Sequence, residues 1–430
     1  MTPHGITPLP AGHRLAPRPA LHAPYDGRRH DRRRAQPRDV AALAAGWALT
    51  RAVMLALLVV DRLGDTGVAG EVHSLYRGWY EQLAHGAFPV HDVTWQYPPG
   101  AALVLLSPAA LPWLTYFQAF VLIVLIADAT VTVALARAGL RGTGEGGGAG
   151  VRGAWLWVGG LPLLLNLPLA RYDVPVTAVA VLALLALRTR PRLGGALAGV
   201  GATLKVWPLL TLLGTPRGPG TRAAWGAAVA SGAALLSVLV LGFSNTLDFL
   251  RQQGARGVQV ESLGGTALHV ARNAGWSGET RYQYGAFEFV GPYVSSVARL
   301  SLVLTAAAFC WLVLWRLRAR RWGPATPFDA AFAAVLLFTV TSRVISPQYL
   351  VWLLGLAAVC LTCRHTVMRP AALLVLPAAA VSALAYPLLY DDVVAGTALG
   401  CTLLVVRNGL LLLATALACR RLWRASARPA

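Results

Sequence analysis

The feature that most constrains this chain is a succession of apolar runs, several near twenty residues long, separated by short polar turns and two long polar loops. About 20 apolar residues of helix cross the ~30 Å hydrocarbon core of a bilayer, and in lipid each backbone N–H and C=O must be satisfied within the protein. Only 13% of the residues are charged, against about 25% in a typical soluble protein. The sequence therefore predicts an all-α polytopic membrane protein with about twelve passes.

The formal net charge is +20. In a membrane chain that is no sign of a nucleic-acid partner, and none is expected. The arginines gather at alternate ends of the apolar runs, as they do on the cytoplasmic side of a plasma membrane. Residues 1–39 are rich in Pro, Arg and His and read as a disordered basic cytoplasmic arm. Residues 40–418 form the transmembrane domain, and residues 419–430 a basic cytoplasmic tail. This orientation places loops 61–100 and 244–296 outside and the Gly-rich linker near residues 142–150 inside.

Two stretches are too short for ordinary spans. Residues 101–111, interrupted by Pro108, read as a juxtamembrane or re-entrant helix. Residues 193–204 and 207–214 read as two short helices meeting at Lys205-Val206-Trp207-Pro208, with Lys205 near the outer face. The five cysteines lie in or beside apolar runs, which excludes a disulfide framework from polar loops. Cys360 and Cys363 read as two small residues at a span end. His73, His85, His91 and His269 lack metal-ligand spacing, so no metal or other cofactor is assigned.

Loop 61–100 concentrates chemistry. It carries Asp61, Asp65, Glu71, Glu81 and Asp92, with Trp79, Trp95 and several tyrosines among them. It ends in Tyr97-Pro98-Pro99-Gly100, an extended turn, because each proline fixes φ and restricts the residue before it. Elsewhere on the same face, Arg171, Lys205 and Arg343 occupy short turns where the topology rule disfavours cations. Three together point to an anionic partner such as a lipid phosphate; the alternative for Arg171 is a pair with Asp173. A carboxylate opposite such a phosphate is suited to general-base work on a hydroxyl. Glu71 lies among aromatics that suit a sugar face. Arg51, Asp128 and Arg407 fall at membrane depth, where an interhelical ion pair such as Arg51–Asp128 is expected.

Glu71, Tyr76, Trp79 and Tyr97-Pro98-Pro99-Gly100, then Arg171-x-Asp173, Lys205-x-Trp207-Pro208 and Arg343-x-x-Ser346-Pro347-Gln348-Tyr349 together resemble glycosyltransferase family 87, over about residues 45–360. The resemblance implies a GT-C fold and a polyprenyl-phosphate-sugar-dependent enzyme working on the outer face. The sugar it implies is mannose, moved with inversion to a cell-envelope glycolipid or polysaccharide. An arabinofuranosyltransferase of the same family is an alternative. It implies an acid in the first outside loop as catalytic base, usually Asp. Glu71 occupies that position, one methylene longer, and Asp65 is the fallback. Arg343, Lys205 and Arg171 would bind the donor phosphate. Tyr76, Trp79, Asp92, Trp95, Tyr97, Asp173, Gln348 and Tyr349 would shape the substrate pocket. The rival from another class is a polytopic transporter or lipid flippase; the absence of an internal repeat and the one-sided polar residues argue against it.

Overall fold

The computed structural model describes Met1 and residues 37–62, 67–89, 92–141, 149–250 and 256–427. Most of the predicted basic arm, the fallback acid Asp65, His91 and most of the Gly-rich linker lie outside the described residues.

The described chain is mostly helical, and six of its helices are long and apolar enough to cross a membrane. These are α1 (Pro37–Val60), α4 (Tyr116–Leu140), α8 (Pro219–Gly242), α10 (Val294–Arg318), α13 (Arg369–Ala383, running on to Leu388) and α15 (Ala398–Ser426). α15 continues as helix through most of the predicted basic tail. Polar residues set several starts. Thr115 and Gln118 form a reciprocal capping box at α4, and Thr397 accepts from the Gly400 N–H at α15.

Shorter helices fill the middle. They include α5 (Arg152–Gly160), α6 (Asp173–Ala186), α11 (Thr326–Thr341) and α12 (Tyr349–Cys360). Every residue from Leu350 to Cys360 is buried, as expected of a helix that is apolar all round. At 1.5 Å per residue its 12 residues reach about 18 Å, short of the ~30 Å hydrocarbon core. Protein surrounds it, so it lies in the interior of the bundle.

The two short stretches fold much as their sequences suggest. Gly100 is followed by α3 (Ala101–Leu106) and a 3₁₀ turn to Ala110. α7 (Pro191–Leu204) stops at an extended Lys205, and a 3₁₀ segment runs from Trp207 to Gly214. Glycine lets α7 lie directly on α8. A Cβ on Gly199 would stand 2.1 Å from the Ala228 carbonyl oxygen.

Residues 244–296, read from sequence as a loop, hold a three-stranded antiparallel sheet and a helix. The strands β1 (Val258–Gln259), β2 (Glu279–Gln283) and β3 (Ala286–Val290) lie in the order β1-β3-β2. β2 and β3 are joined by Tyr284-Gly285, both with positive φ, the conformation of a tight two-residue hairpin. Helix α9 (Leu263–Asn273) is capped by Ser262, which accepts from the Gly265 N–H.

Inside the bundle, Arg51 makes a bidentate pair with Asp128, Nε at 2.8 Å from Oδ2 and Nη2 at 2.7 Å from Oδ1. Trp47 and Trp157 donate their indole N–H groups to the same carboxylate, at 2.6 and 2.7 Å. The expected interhelical pair is present and fully hydrogen-bonded, which offsets the desolvation of its charges. Arg407 pairs instead with Glu261, in the segment between α8 and α10.

Candidate active site

One cavity of about 570 Å³ lies where the first polar loop, the 205–207 break, the sheet segment and the 342–349 turn converge. Its volume is within the ~300–1,000 Å³ range of small-molecule sites. Eight of the predicted site residues line it: Glu71, Trp79, Tyr97, Arg171, Lys205, Arg343, Gln348 and Tyr349.

The first loop is built on carboxylates that do structural work. Asp61 accepts from the Val68 and Ala69 N–H groups and from Asn166 Nδ2. This fixes the entry into a π-helical turn, Glu71–Tyr76, which continues as α2 (Arg77–Ala84). Asp92 accepts from Trp79 Nε1 at 2.6 Å and from the Thr94 N–H at 2.8 Å. Trp79 packs edge-on to Trp95 and Tyr97. Tyr76 is buried against Trp79, Phe120 and Tyr172. Tyr76, Asp92 and Trp95 thus stand behind the cavity wall rather than in it. Glu81 is an exposed partner of Arg77.

Gly100 ties this loop to the helix break. Its N–H donates to the Thr203 carbonyl at 2.9 Å, and a Cβ there would meet the same carbonyl at 2.6 Å. Tyr97 and Lys205, a hundred residues apart in sequence, are thereby brought together. Lys205 Nζ bonds Asp173 Oδ1 at 2.5 Å, and Trp352 Nε1 donates to the same oxygen at 2.6 Å. The Tyr172 and Trp352 rings face the ammonium at 4.5 and 4.9 Å, with Tyr97 and Tyr349 further out, a cation–π enclosure. Asp173 is buried and does not line the cavity.

Arg171 pairs with Glu71, not with Asp173: Nη2 to Oε2 is 3.2 Å. Arg171 Nη1 also donates to the Ala170 carbonyl, and Nη2 to the Tyr386 hydroxyl. Burial pulls the Arg171 guanidinium down. Glu71 and the surrounding tyrosines overcome that and hold it above its ordinary value. Burial, with Glu71 and Asp173 nearby, raises the Tyr97 hydroxyl well beyond the usual phenol range. The Glu71 side chain keeps 26% exposure against 6% for Arg171, so of the two it is Glu71 that a substrate in the cavity can reach.

At the sheet side of the cavity stand two further guanidiniums. Arg343 Nη1 donates to the Arg256 carbonyl at 2.8 Å. Arg256 Nε bonds Glu288 Oε1 at 3.2 Å, and Glu288 Oε2 accepts from the Gly257 N–H. Burial and Arg256 lower Arg343 below its ordinary value, with Glu288 pulling the other way. Arg256 and Arg343 thus stand side by side in the cavity lining, with Glu288 beside them.

Sequence reasoning missed Arg256, Gln259, Glu261, Tyr386 and Tyr390, all of which line the cavity. Arg256 lay in a loop with several arginines, and no local spacing sets it apart. Alternation in Glu279–Val290 around Tyr284-Gly285 was the available sign of the hairpin. Among the described residues no three His, Cys, Asp or Glu side chains assemble as a metal site.

No curated protein matches the chain. The model of glycosyltransferase family 87 matches residues 95–347, more than half of the chain. The matched span runs from Trp95 through Arg171, Asp173, Lys205 and Arg343, and starts after Glu71. A match of that extent, on a multi-pass helical chain whose polar residues converge on one cavity, places this membrane glycosyltransferase in glycosyltransferase family 87.

Proposed function

We propose that the protein transfers a sugar, mannose, from a polyprenyl-phosphate donor to a hydroxyl of a cell-envelope glycolipid or polysaccharide. In this reading the chain is a GT-C bundle of about twelve passes in the plasma membrane. Both termini are cytoplasmic and the cavity opens to the outer face.

The acceptor oxygen attacks the anomeric carbon as the bond from that carbon to the phosphate oxygen breaks. Glu71 takes the acceptor proton, and the electron pair leaves with polyprenyl phosphate. Attack opposite the leaving group inverts the anomeric centre. Arg343 and Arg256 hold the phosphate and its developing charge. Arg171 holds the Glu71 carboxylate in place, and Lys205, fixed by Asp173, carries the floor of the sugar pocket with Tyr97 and Tyr349. Asp65 is the fallback base. The observation that carries the reading is that a partly exposed carboxylate on the first loop and the neighbouring guanidiniums of Arg256 and Arg343 line one cavity.

The test is transfer of radiolabel from polyprenyl-phosphate-mannose, and separately from its arabinofuranose counterpart, into lipid and glycan fractions by membranes containing the protein. The reading predicts transfer from the mannose donor. Transfer from the arabinofuranose donor alone would replace the sugar and keep the mechanism. Transfer from neither, with folded protein present, would contradict the reading.

A further inference from the structure

Arg407 is a fully buried cation on the last helix, outside the family match, and its partner lies in the sheet segment rather than on another long helix. Arg407 Nη1 bonds Glu261 Oε1 at 3.0 Å, and its Nη2 donates to the Glu261 carbonyl. Asn408 Nδ2 reaches the same carbonyl at 3.1 Å and Thr266 Oγ1 at 2.7 Å. Helix α15 therefore grips the chain just after β1.

The second Glu261 oxygen accepts from Gln259 Nε2 at 3.1 Å, and Gln259, like Glu261, lines the cavity. Gln259 in turn holds the turn that carries Arg343. Its backbone N–H donates to the Arg343 carbonyl at 3.1 Å, and its Oε1 accepts from the Ile345 N–H at 2.8 Å. A primary amide has one oxygen and one NH₂. Were it reversed, its NH₂ would face the Ile345 N–H and its oxygen the Glu261 carboxylate. The carboxylate thus decides which way the amide points, and Arg407 holds the carboxylate. Residues 342–348, between α11 and α12, have no regular structure of their own. These bonds are what fixes their backbone next to Arg256.

We infer that Gln259, oriented by Glu261 and through it by Arg407 of the last helix, is a positioning residue that sets the Arg343 turn for the donor phosphate. The inference rests on Arg343 being a phosphate ligand, as proposed above. Loss of the Gln259 side chain should weaken phosphate binding only through Arg343.

The experiment measures the dissociation constant of polyprenyl phosphate, the leaving group common to all sugar donors of this class, for the full chain in lipid nanodiscs. The proteins are wild type, Gln259→Leu, Arg343→Ala and the double variant. Arg343→Ala is expected to weaken binding about 30-fold and Gln259→Leu about 10-fold, with the double variant no weaker than Arg343→Ala. A purely structural role would lower the fraction of protein that binds and leave the constant unchanged. Wild-type affinity in Gln259→Leu, or effects that multiply in the double variant, would overturn the inference while leaving the phosphate reading intact. Wild-type affinity in Arg343→Ala would overturn both. Gln259→Asn, one methylene too short to span both partners, carries the same prediction if the leucine variant does not fold.

Discussion

Glu71 and Arg171 meet at 3.2 Å across a hundred residues of chain because Asp61 pins the entry to the first and the α6 N-terminus presents the second. Sequence alone placed both residues near one face and offered Asp173, two residues on, as an alternative partner for Arg171; the structure pairs Arg171 with Glu71. The structure gives Asp173 to Lys205 instead. Local spacing could not distinguish the two, because both pairs join residues that only the fold brings together. His269 shows another residue-scale consequence. It is buried on α9 against Phe289, with the Val260 backbone beside its ring. Burial, with Arg272 adding to it and the Val260 backbone opposing it, lowers its pKa to about 4, against about 6.5 unfolded. Between those values the unfolded chain binds more protons, so stability rises with pH through the window and is lost as pH falls through it. Moving from pH 7 to pH 5 should cost about 2 kcal/mol from this group. Thermal unfolding at the two pH values should show a smaller difference in His269→Leu than in wild type; an equal difference would show that His269 is not the group responsible.

Among the elements, the break at Lys205 and the short helix after Gly100 were legible, because proline and glycine punctuation is local. The Arg51–Asp128 pair was legible because a charge at membrane depth must find a partner. The sheet between α8 and α10 was not. Its strands are short, its outer residues are polar on both sides, and its pairing with β1 spans about thirty residues of sequence. Helices α1, α4 and α5 are joined at one carboxylate, which serves Arg51, Trp47 and Trp157 together. Asp128→Ala would leave the Arg51 charge buried with only neutral acceptors and strand two indole donors. It should destabilise the protein by about 3–5 kcal/mol, seen as a large drop in unfolding temperature in detergent. An unfolding temperature equal to that of wild type would show that the cluster contributes little to holding these helices.

At the scale of the whole molecule, the long helices at the periphery leave large apolar side chains exposed, while the short ones at the centre are buried by protein. The bundle so formed holds three polar segments, distant in sequence, around one cavity: the acid-bearing first loop, the Lys205 break and the Arg256–Arg343 wall. Composition announced the membrane class and the motifs announced the family. The division of labour inside the cavity depended on pairings that only the packed structure sets. In the proposed reaction this cavity transfers a glycosyl group with Glu71 as the base. The most direct measurement is the single-turnover rate of sugar transfer from the active polyprenyl-phosphate donor in wild type, Glu71→Gln and Asp65→Asn, with donor binding measured alongside. The account predicts that Glu71→Gln slows transfer by about 10²–10⁴-fold with donor binding little changed, and that Asp65→Asn stays near wild type. A Glu71→Gln protein that transfers at the wild-type rate would contradict it.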